Sequence, residues 1–365
     1  MKIGILTFHY GSNYGGVLQC FALQELLKNK GHDVCVINYI PKDSFKRNAQ
    51  VVLYLLKKHN ASIFRLAAHY ILHHQKSRKV FRVFREKYLN LSEEHSDINQ
   101  FKDLSLDVII VGSDQIWNFT QQRSTVYFLG WLNNHKIRKV SYSACCGSNH
   151  INEKYRSELI SQLNQFNALS VRTTETKGFI WNLLKREVPI VLDPTMLYDF
   201  KEFLKPNSEN YILAYILNDE IIGGNDKAIN LIKKKYNDMP VYSLIISDRI
   251  PRLCNWADKQ LYDLSPDQWV NMIYNCSFMI TDSYHGTLFS MKYQKPFISY
   301  SSNKNKGKRL KDIKDTFHFK NIVSSVKEVD DVLKNNEEIV SMESKLLEEY
   351  KSRSLEFIDS NICCY

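Results

Sequence analysis

The stretch that decides the fold reads Ile3-Gly4-Ile5-Leu6-Thr7-Phe8-His9-Tyr10-Gly11-Ser12-Asn13-Tyr14-Gly15-Gly16, an apolar run followed by a turn rich in glycine. Residues 17–30 then carry apolar side chains at helical spacing, and residues 34–38 form a second short apolar run. A strand, a helix and another strand in that order build a parallel sheet. The opening therefore predicts an α/β fold whose first strand, at residues 3–8, is buried.

Short apolar runs recur along the rest of the chain and end in polar or charged residues. They predict further strands at residues 107–111, 139–143, 168–171, 188–192, 211–216, 241–246, 278–281 and 296–300. Continuous apolar runs of this length are typical of parallel strands that are buried on both faces. Open parallel sheets bind ligands along the edge where their strands end, so the polar residues at that edge are the candidate site.

The length of 365 residues favours two domains over one. We predict a first α/β domain over residues 1–203, a second over residues 209–325, and a helical tail over residues 326–365 that packs back on the first. The basic helical segment 42–90 is placed in the first domain. The predicted fold class is therefore α/β, with two Rossmann-like domains that face each other across a cleft.

Composition excludes several classes of protein. A hydrophobic content of 44% can build a sizeable core, and the sequence has no run of about 18 apolar residues that could span a membrane. Gly11 ends the first apolar run too early for a signal peptide, so we expect a cytoplasmic protein. The eight cysteines form no Cys-x-x-Cys pair, which favours reduced thiols over a zinc or redox motif.

The net charge of +10 comes from one segment of the chain. Between Lys42 and Lys87, twelve lysines and arginines stand against Asp43 and Glu86, so this segment alone accounts for the excess. It also contains an apolar run at residues 51–56. Three interpretations stay open: a solvated helical face, a surface that docks on the anionic inner face of a membrane, and a nucleic-acid-binding module.

The turn at residues 11–16 joins a strand to the start of a helix. Backbone N–H groups and the positive end of the helix dipole meet there, which suits a phosphate or a carboxylate. The glycine spacing matches neither the dinucleotide fingerprint nor the P-loop. We expect Asn13, Tyr14, Gly15 and Gly16 to contact a substrate, with an ordinary tight turn as the alternative.

The strand at residues 107–111 ends in a cluster of polar and aromatic residues. Ser113, Asp114, Gln115 and Trp117 can hydrogen-bond to a sugar and stack on it. A loop around a packed tryptophan is the alternative. The cluster is a candidate sugar contact.

Asp282, Ser283, His285 and Gly286 follow the strand at residues 278–281. Histidine gains and loses a proton near neutral pH, so His285 is a candidate acid or base. Gly286 would let a ligand approach the backbone closely. A histidine that caps a turn is the alternative interpretation.

Cations also follow predicted strands, and they can bind a phosphorylated donor that carries two anionic groups. The candidates are Arg172, Lys308 and Arg309. Each of them alone is a weak signal, because exposed lysines and arginines are usually solvated.

Five motifs in this order resemble the polysaccharide pyruvyl transferase family over roughly residues 1–320. They are the turn at residues 11–16, Val111-Gly112-Ser113-Asp114-Gln115-Ile116-Trp117, Ser170-Val171-Arg172, Asp193-Pro194 and Asp282-Ser283-Tyr284-His285-Gly286. The resemblance implies a glycosyltransferase-B-like pair of domains. It also implies transfer of a pyruvyl group from phosphoenolpyruvate to a sugar or lipid-linked oligosaccharide of a surface polysaccharide, with ketal formation and no cofactor.

The resemblance further implies roles for two residues. Arg172 and His285 match the arginine and the histidine that engage the donor, with His285 as the acid or base. Many members carry Arg-x-His-Gly, whereas this chain has Ser283 in place of that arginine. Either Arg309 or Lys308 would then supply the missing charge, or the donor would be a different one.

Two other functions remain open. A nucleotide-sugar-dependent glycosyltransferase of the same architecture would need a base and ribose site in the second domain, for which Asp282 or Asp248 is available. A nucleic-acid-binding module would depend on the basic segment and would be retained on DNA in a salt-sensitive way. The aromatic residues of that segment lie at helical spacing, which is more typical of a core, so we expect no nucleic-acid partner.

Overall fold

The computed structural model describes the chain apart from residues 43–60, 102, 119–124, 133–135, 148–150, 152, 218–219, 247–253, 302–306, 340–344 and 364–365, and for residues 61–70 it describes the backbone alone. The strands are β1 Lys2–Leu6, β2 Asp33–Val36, β3 Val108–Val111, β4 Arg138–Ala144, β5 Ala168–Val171, β6 Ile212–Tyr215, β7 Val241–Leu244, β8 Lys259–Leu261, β9 Phe278–Thr281, β10 Phe297–Tyr300 and β11 Ile322–Val323. The α-helices are α1 Tyr14–Asn29, α2 Ala61–Tyr88, α3 Arg156–Leu163, α4 Thr174–Leu184, α5 Pro194–Leu197, α6 Asn225–Lys235, α7 Pro266–Asn275, α8 Tyr284–Lys292, α9 Lys308–Phe317, α10 Val326–Lys334 and α11 Lys345–Ile358. Short 3₁₀ turns lie at Ile98–Phe101, Val126–Phe128, Glu153–Tyr155 and Lys201–Phe203, and a π-helical turn at Asp359–Cys363. Among the described residues, no helix combines the length and the apolar character needed to cross a membrane.

The first compact unit contains Met1–Lys42, Arg85–Asp199 and Lys345–Tyr365. Its five strands are parallel and follow the order β2-β1-β3-β4-β5. All four residues of β3 are buried, as expected for a central strand of a parallel sheet. Because the strands run in one direction, the segments that follow β1, β3, β4 and β5 meet along one edge of the sheet.

The second compact unit contains Asp43–Phe84 and Phe200–Ser344. Its six strands are also parallel and follow the order β11-β10-β9-β6-β7-β8. Every residue of β6 and β9 is buried. The end of β9, where α8 begins, is therefore flanked by the ends of β6 and β10.

The basic segment differs from its predicted place in the first domain, because residues 43–84 group with the second unit. The Phe84 ring packs on that of Phe203, with centroids 5.7 Å apart, and His73 Nδ1 lies 2.5 Å from a carboxylate oxygen of Asp263. These contacts hold α2 against the second unit. The apolar run at residues 51–56 lies outside the described residues.

The predicted tail at residues 326–365 is divided between the two units. The apolar side chains of α10 join the core of the second unit. In contrast, α11 packs on the first unit, where Ser354 Oγ accepts a hydrogen bond of 2.9 Å from the backbone N–H of Leu192. The ring of Phe357 also lies 6.1 Å from that of Tyr142.

Three strands differ from the predicted set. One is β11, whose two residues are too few to leave a recognisable apolar run. Residues 188–192 make only a single bridge to the first sheet, between Val171 and Ile190, because Pro189 has no N–H to donate to a ladder. The short strand β8 was not predicted, since its residues are exposed or half-buried and leave no apolar signal.

Gly112 directly follows β3 and lies against the backbone of β4. Its φ is +119°, a conformation that residues with a side chain rarely adopt. A Cβ at this position would lie 2.1 Å from the carbonyl oxygen of Tyr142. The absence of a side chain therefore lets the chain leave β3 in close contact with β4.

We expect Gly112→Ala to lower the free energy of unfolding by about 3 kcal/mol or more, because an unfavourable φ and an overlap with the main chain must both be relieved. Gly11→Ala is the matched control, since nothing lies within 4 Å of the Cβ position of Gly11. Denaturant unfolding compares the two variants. Equal stability of the two would contradict the close contact at Gly112.

Candidate functional site

The glycine turn forms the start of α1 rather than an open loop. Asn13 caps the helix, and its Oδ1 accepts a hydrogen bond of 3.2 Å from the backbone N–H of Gly16. The helix therefore begins at Tyr14, earlier than predicted, and it buries Gly15 and Gly16 in its first turn. A Cβ on Gly16 would lie 3.1 Å from the carbonyl oxygen of Phe8, so packing alone explains this glycine. Of the four predicted contacts, Asn13 and Tyr14 reach the surface.

Gln19, a buried residue that no motif in the sequence marks, links this turn to the end of β3. Its Nε2 donates to Thr7 Oγ1 at 2.9 Å and to the carbonyl oxygen of Gly16 at 2.8 Å. Its Oε1 accepts a hydrogen bond of 2.8 Å from the backbone N–H of Ser113. The available signal was a polar residue within the apolar first turns of α1. Gln19 thus fixes the end of β3 against the end of β1.

His9 is a second buried polar residue at this edge that the sequence did not single out. Its Nδ1 lies 3.1 Å from the carbonyl oxygen of Thr7, and its Nε2 lies 2.9 Å from Oδ1 of Asn38. Burial lowers the pKa of the His9 imidazole. The ring links the segments after β1 and β2.

Arg172 follows β5 and contacts two carboxylates. Its Nη1 donates to Asp193 Oδ2 at 2.6 Å and to Ser113 Oγ at 3.2 Å, and its Nη2 donates to Asp114 Oδ1 at 3.3 Å. The other oxygen of Asp193 accepts hydrogen bonds from the backbone and the hydroxyl of Thr195. The Arg172 side chain is 1% exposed and that of Asp193 is fully buried. These groups form a buried cluster in which the guanidinium is paired with the carboxylates of Asp193 and Asp114.

This geometry does not fit the predicted role of Arg172 as a clamp for the donor. An anionic ligand could replace Asp193 at the guanidinium only by leaving a buried carboxylate without its cation, which is strongly unfavourable. Ser113 is fully buried in the same cluster. Arg172 and Ser113 are therefore structural links, and the Asp114 side chain, 10% exposed, is the member of the cluster that borders solvent.

Trp117, predicted to stack on a sugar, lies in the core. It is 1% exposed, its Nε1 donates to the carbonyl oxygen of Tyr127 at 3.1 Å, and its ring stacks on Phe128 with centroids 5.3 Å apart. The alternative interpretation, a loop around a packed tryptophan, describes it. Gln115 is half-buried and accepts a hydrogen bond of 2.6 Å from Asn118, so it remains near the surface of this edge.

In the second unit, Ser283 caps α8. Its Oγ accepts a hydrogen bond of 3.2 Å from the N–H of Gly286, and its own N–H donates to Thr281 Oγ1 at 3.0 Å. A Cβ on Gly286 would lie 2.6 Å from Thr281 Oγ1, so this glycine serves the packing of α8 on β9 rather than the approach of a ligand. Asp282 accepts a hydrogen bond of 2.5 Å from the backbone of Leu217, which joins the ends of β9 and β6.

His285 lies in the first turn of α8 and is 6% exposed. Its ring packs edge-on against that of Tyr284, with centroids 5.3 Å apart. Arg309, from the first turn of α9, places its guanidinium carbon 5.3 Å from the centroid of the same tyrosine ring, a cation–π distance. Lys308, which precedes it, is exposed. An imidazole and a guanidinium therefore contact one tyrosine ring at the N-terminus of α8.

A family model described as polysaccharide pyruvyl transferase matches residues 13–304. The matched region begins at the residue that caps α1 and continues past His285, so it includes both candidate strand edges. The chain belongs to the polysaccharide pyruvyl transferase family. It is therefore a transferase, as the sequence motifs predicted, and polysaccharide synthesis is the setting of its reaction.

Solved structures show the fold of this family member. MnaA of S. aureus, in a co-structure with UDP, is 13% identical with a TM-score of 0.54, over 100% of this chain and 97% of that chain. HepE of Anabaena, in complex with UDP and glucose, is 10% identical with a TM-score of 0.52, over 99% of this chain and 100% of that chain. A putative UDP-N-acetylglucosamine 2-epimerase from Listeria monocytogenes is 10% identical with a TM-score of 0.50, over 98% and 96%.

At these identities the likeness concerns the fold alone. It confirms the predicted α/β fold of the glycosyltransferase-B-like class, with two parallel sheets. A sequence comparison with curated proteins finds no match.

We expect Arg172→Met to lower the free energy of unfolding by about 3–5 kcal/mol, because it leaves the buried carboxylate of Asp193 without a cation. A second change, Asp193→Asn, should recover part of this loss. Arg156→Met is the control, since the ion pair of Arg156 with Glu153 is exposed and should not affect stability measurably. Urea unfolding provides the measurement. An Arg172→Met protein with unchanged stability and weakened donor binding would reverse the structural assignment.

Proposed function

We propose that the protein transfers the pyruvyl group of phosphoenolpyruvate to two hydroxyls of a sugar and closes a cyclic ketal. Family membership supports the transfer. The observation that carries the proposal is the contact of both His285 and Arg309 with Tyr284 at the N-terminus of α8. The proposed acceptor is a free or lipid-linked sugar of a surface polysaccharide, such as a capsule or an exopolysaccharide. The proposed reaction uses no metal or nucleotide cofactor.

Phosphoenolpyruvate carries a phosphate and a carboxylate, so its site must balance more than one negative charge. The N-terminus of α8 supplies backbone N–H groups and the positive end of a helix dipole. Arg309 adds a guanidinium, which can bind a phosphate or a carboxylate through two parallel hydrogen bonds. Many family members carry an arginine at the position of Ser283. Arg309 contacts the next residue, Tyr284, and so places a positive charge beside that position.

The proposed reaction consists of one protonation and two additions at the same carbon. A proton added to the methylene carbon of phosphoenolpyruvate leaves an oxocarbenium-like centre at C2, and the first sugar hydroxyl adds there and loses its proton. The bond between C2 and the phosphate oxygen then breaks. The second hydroxyl adds to C2, loses its proton and closes the ketal. One released proton replaces the proton delivered to the methylene carbon, and the other leaves with phosphate.

His285 is the proposed source of the first proton, because imidazole is an effective proton donor near neutral pH. Its backbone is held in place by hydroxyl groups. Thr287 Oγ1 donates to the carbonyl oxygen of Ser283 at 2.9 Å, and Ser283 in turn is held by Thr281. The imidazole of His285 is nearly buried, so little water surrounds it. A positive charge on this ring therefore interacts more strongly with a bound anion than it would in bulk solvent.

A nucleotide-sugar donor is the second candidate, because MnaA and HepE were solved with UDP. One carboxylate that could bind ribose, Asp282, already accepts the backbone N–H of Leu217. The other, Asp248, lies outside the described residues. Family membership gives phosphoenolpyruvate the stronger support, and UDP-sugars enter the first experiment as competing donors.

We expect His285→Asn to lower kcat about 100-fold or more, since a positioned acid or base typically contributes on the order of 10²–10⁴ in rate. The assay is phosphate release from phosphoenolpyruvate over a panel of free and lipid-linked sugars, with UDP release from UDP-sugars measured in parallel. His318→Asn is the matched control, because His318 is exposed and its φ of +57° accommodates asparagine.

The outcomes separate the assignments. Turnover of His285→Asn within about tenfold of the wild type, about 1.4 kcal/mol, would remove the acid from the mechanism. Release of UDP in place of phosphate by the wild-type protein would replace the proposed donor. An equal fall of kcat in His318→Asn would mean that the effect of His285→Asn does not arise at the N-terminus of α8.

We expect Arg309→Ala to raise KM for phosphoenolpyruvate about 10–100-fold and to leave KM for the acceptor unchanged, because a charge-assisted hydrogen bond contributes about 1.5–3 kcal/mol. Lys308→Ala is the comparison and should change either KM far less, since this side chain is exposed. Arg309→Lys keeps the charge without the paired hydrogen bonds and should give an intermediate KM. A larger effect at Lys308, or equal rises for donor and acceptor, would exclude Arg309 as the donor-binding cation.

A further inference from the structure

The face of α2 that points away from the second unit carries apolar and basic side chains in one line. Leu72, Lys76, Lys79 and Val83 follow the spacing i, i+4, i+7 and i+11, which places them on a common helical face. Leu72 is 50% exposed and Val83 is 49% exposed, and both lysines are exposed. At 1.5 Å per residue, this outer stripe is about 16 Å long.

The opposite face of α2 anchors the helix. Its buried side chains are His74, Ser77, Phe81 and Phe84. Phe84 packs on Phe203, and His73, beside this face, pairs with Asp263 and stacks on Tyr262 with ring centroids 4.4 Å apart. These inner contacts fix the rotation of α2 about its own axis. The outer stripe is therefore exposed in the folded second unit.

The stripe combines exposed aliphatic side chains with exposed basic ones. Of the seven large hydrophobic side chains exposed among the described residues, Ile71, Leu72 and Val83 lie on this helix. Arg78 and Arg82 are exposed beside the stripe, and Glu86 is the one acidic residue in the sequence from residue 71 to residue 88. A partner that fits this surface must be anionic and must also accept aliphatic side chains.

We propose that the outer stripe of α2 binds the surface of an anionic lipid bilayer. Lysine ammonium groups would contact lipid phosphates, while Leu72 and Val83 enter the boundary between headgroups and acyl chains. A nucleic acid would use the positive charges but offers no comparable place for two aliphatic side chains. This inference goes beyond the transfer reaction and does not depend on the identity of the donor.

Co-sedimentation of the full-length protein with vesicles tests the proposal. Vesicles of phosphatidylglycerol and phosphatidylcholine should bind the protein at low salt, pure phosphatidylcholine vesicles should not, and added salt should weaken binding. The double change Lys76→Gln and Lys79→Gln should weaken binding about 25-fold, at about fivefold for each basic residue. The double change Leu72→Ser and Val83→Ser should weaken it about fivefold or more although the charge is unchanged.

The matched control removes the same charge elsewhere on the second unit. Lys227→Gln with Lys234→Gln alters two exposed lysines of α6 and should leave binding close to that of the wild type. An equal loss in this control would show that binding follows net charge, and the proposal would fail. It would also fail if the wild-type protein stays in the supernatant with anionic vesicles at low salt. A Leu72→Ser, Val83→Ser protein that binds like the wild type would identify a general site for polyanions in place of a lipid surface.

Discussion

The buried ion pair between Arg172 and Asp193 is the contact on which the ligand edge of the first unit depends. Two charges removed from water are tolerated only when they are paired and when their remaining hydrogen-bonding positions are satisfied. The pair also engages Ser113 and Asp114 after β3 and, through Asp193, the first turn of α5. Because its partners follow different strands, the pair fixes where neighbouring strands end, and the polar groups of that edge cannot move independently.

The second unit holds its edge through hydroxyl groups and the close packing of a helix on a strand. Hydroxyl groups of Thr281 and Ser283, together with the missing Cβ at Gly286, hold α8 against β9. The first turn of α8 is contacted by the guanidinium of Arg309, which lies 5.3 Å from the ring centroid of Tyr284. This contact and the positive end of the α8 dipole are the physical basis for proposing an anionic donor there.

Most strands could be predicted from the sequence, because a strand buried on both faces leaves a continuous apolar run. The role of Arg172 could not be predicted in this way. A cation that follows a strand gives the same sequence pattern whether its side chain faces solvent or pairs with a carboxylate that is distant in sequence, such as that of Asp193. Trp117 was misassigned for a related reason: polar neighbours in the sequence do not reveal a ring packed inward. Arg309 was predicted as a candidate cation from its position after a strand, but its contact with Tyr284 depends on how two helices pack and has no local signal.

The chain passes from one compact unit to the other at residues 42–43, 84–85, 199–200 and 344–345. A polypeptide synthesised from its N-terminus therefore cannot complete the first unit until residues 345–365 have left the ribosome. All segments of the second unit emerge before that point. The unit that contributes the first strand of the protein is thus the last that can reach its native set of contacts, and until then the nascent chain must keep its uncovered apolar surface from aggregating.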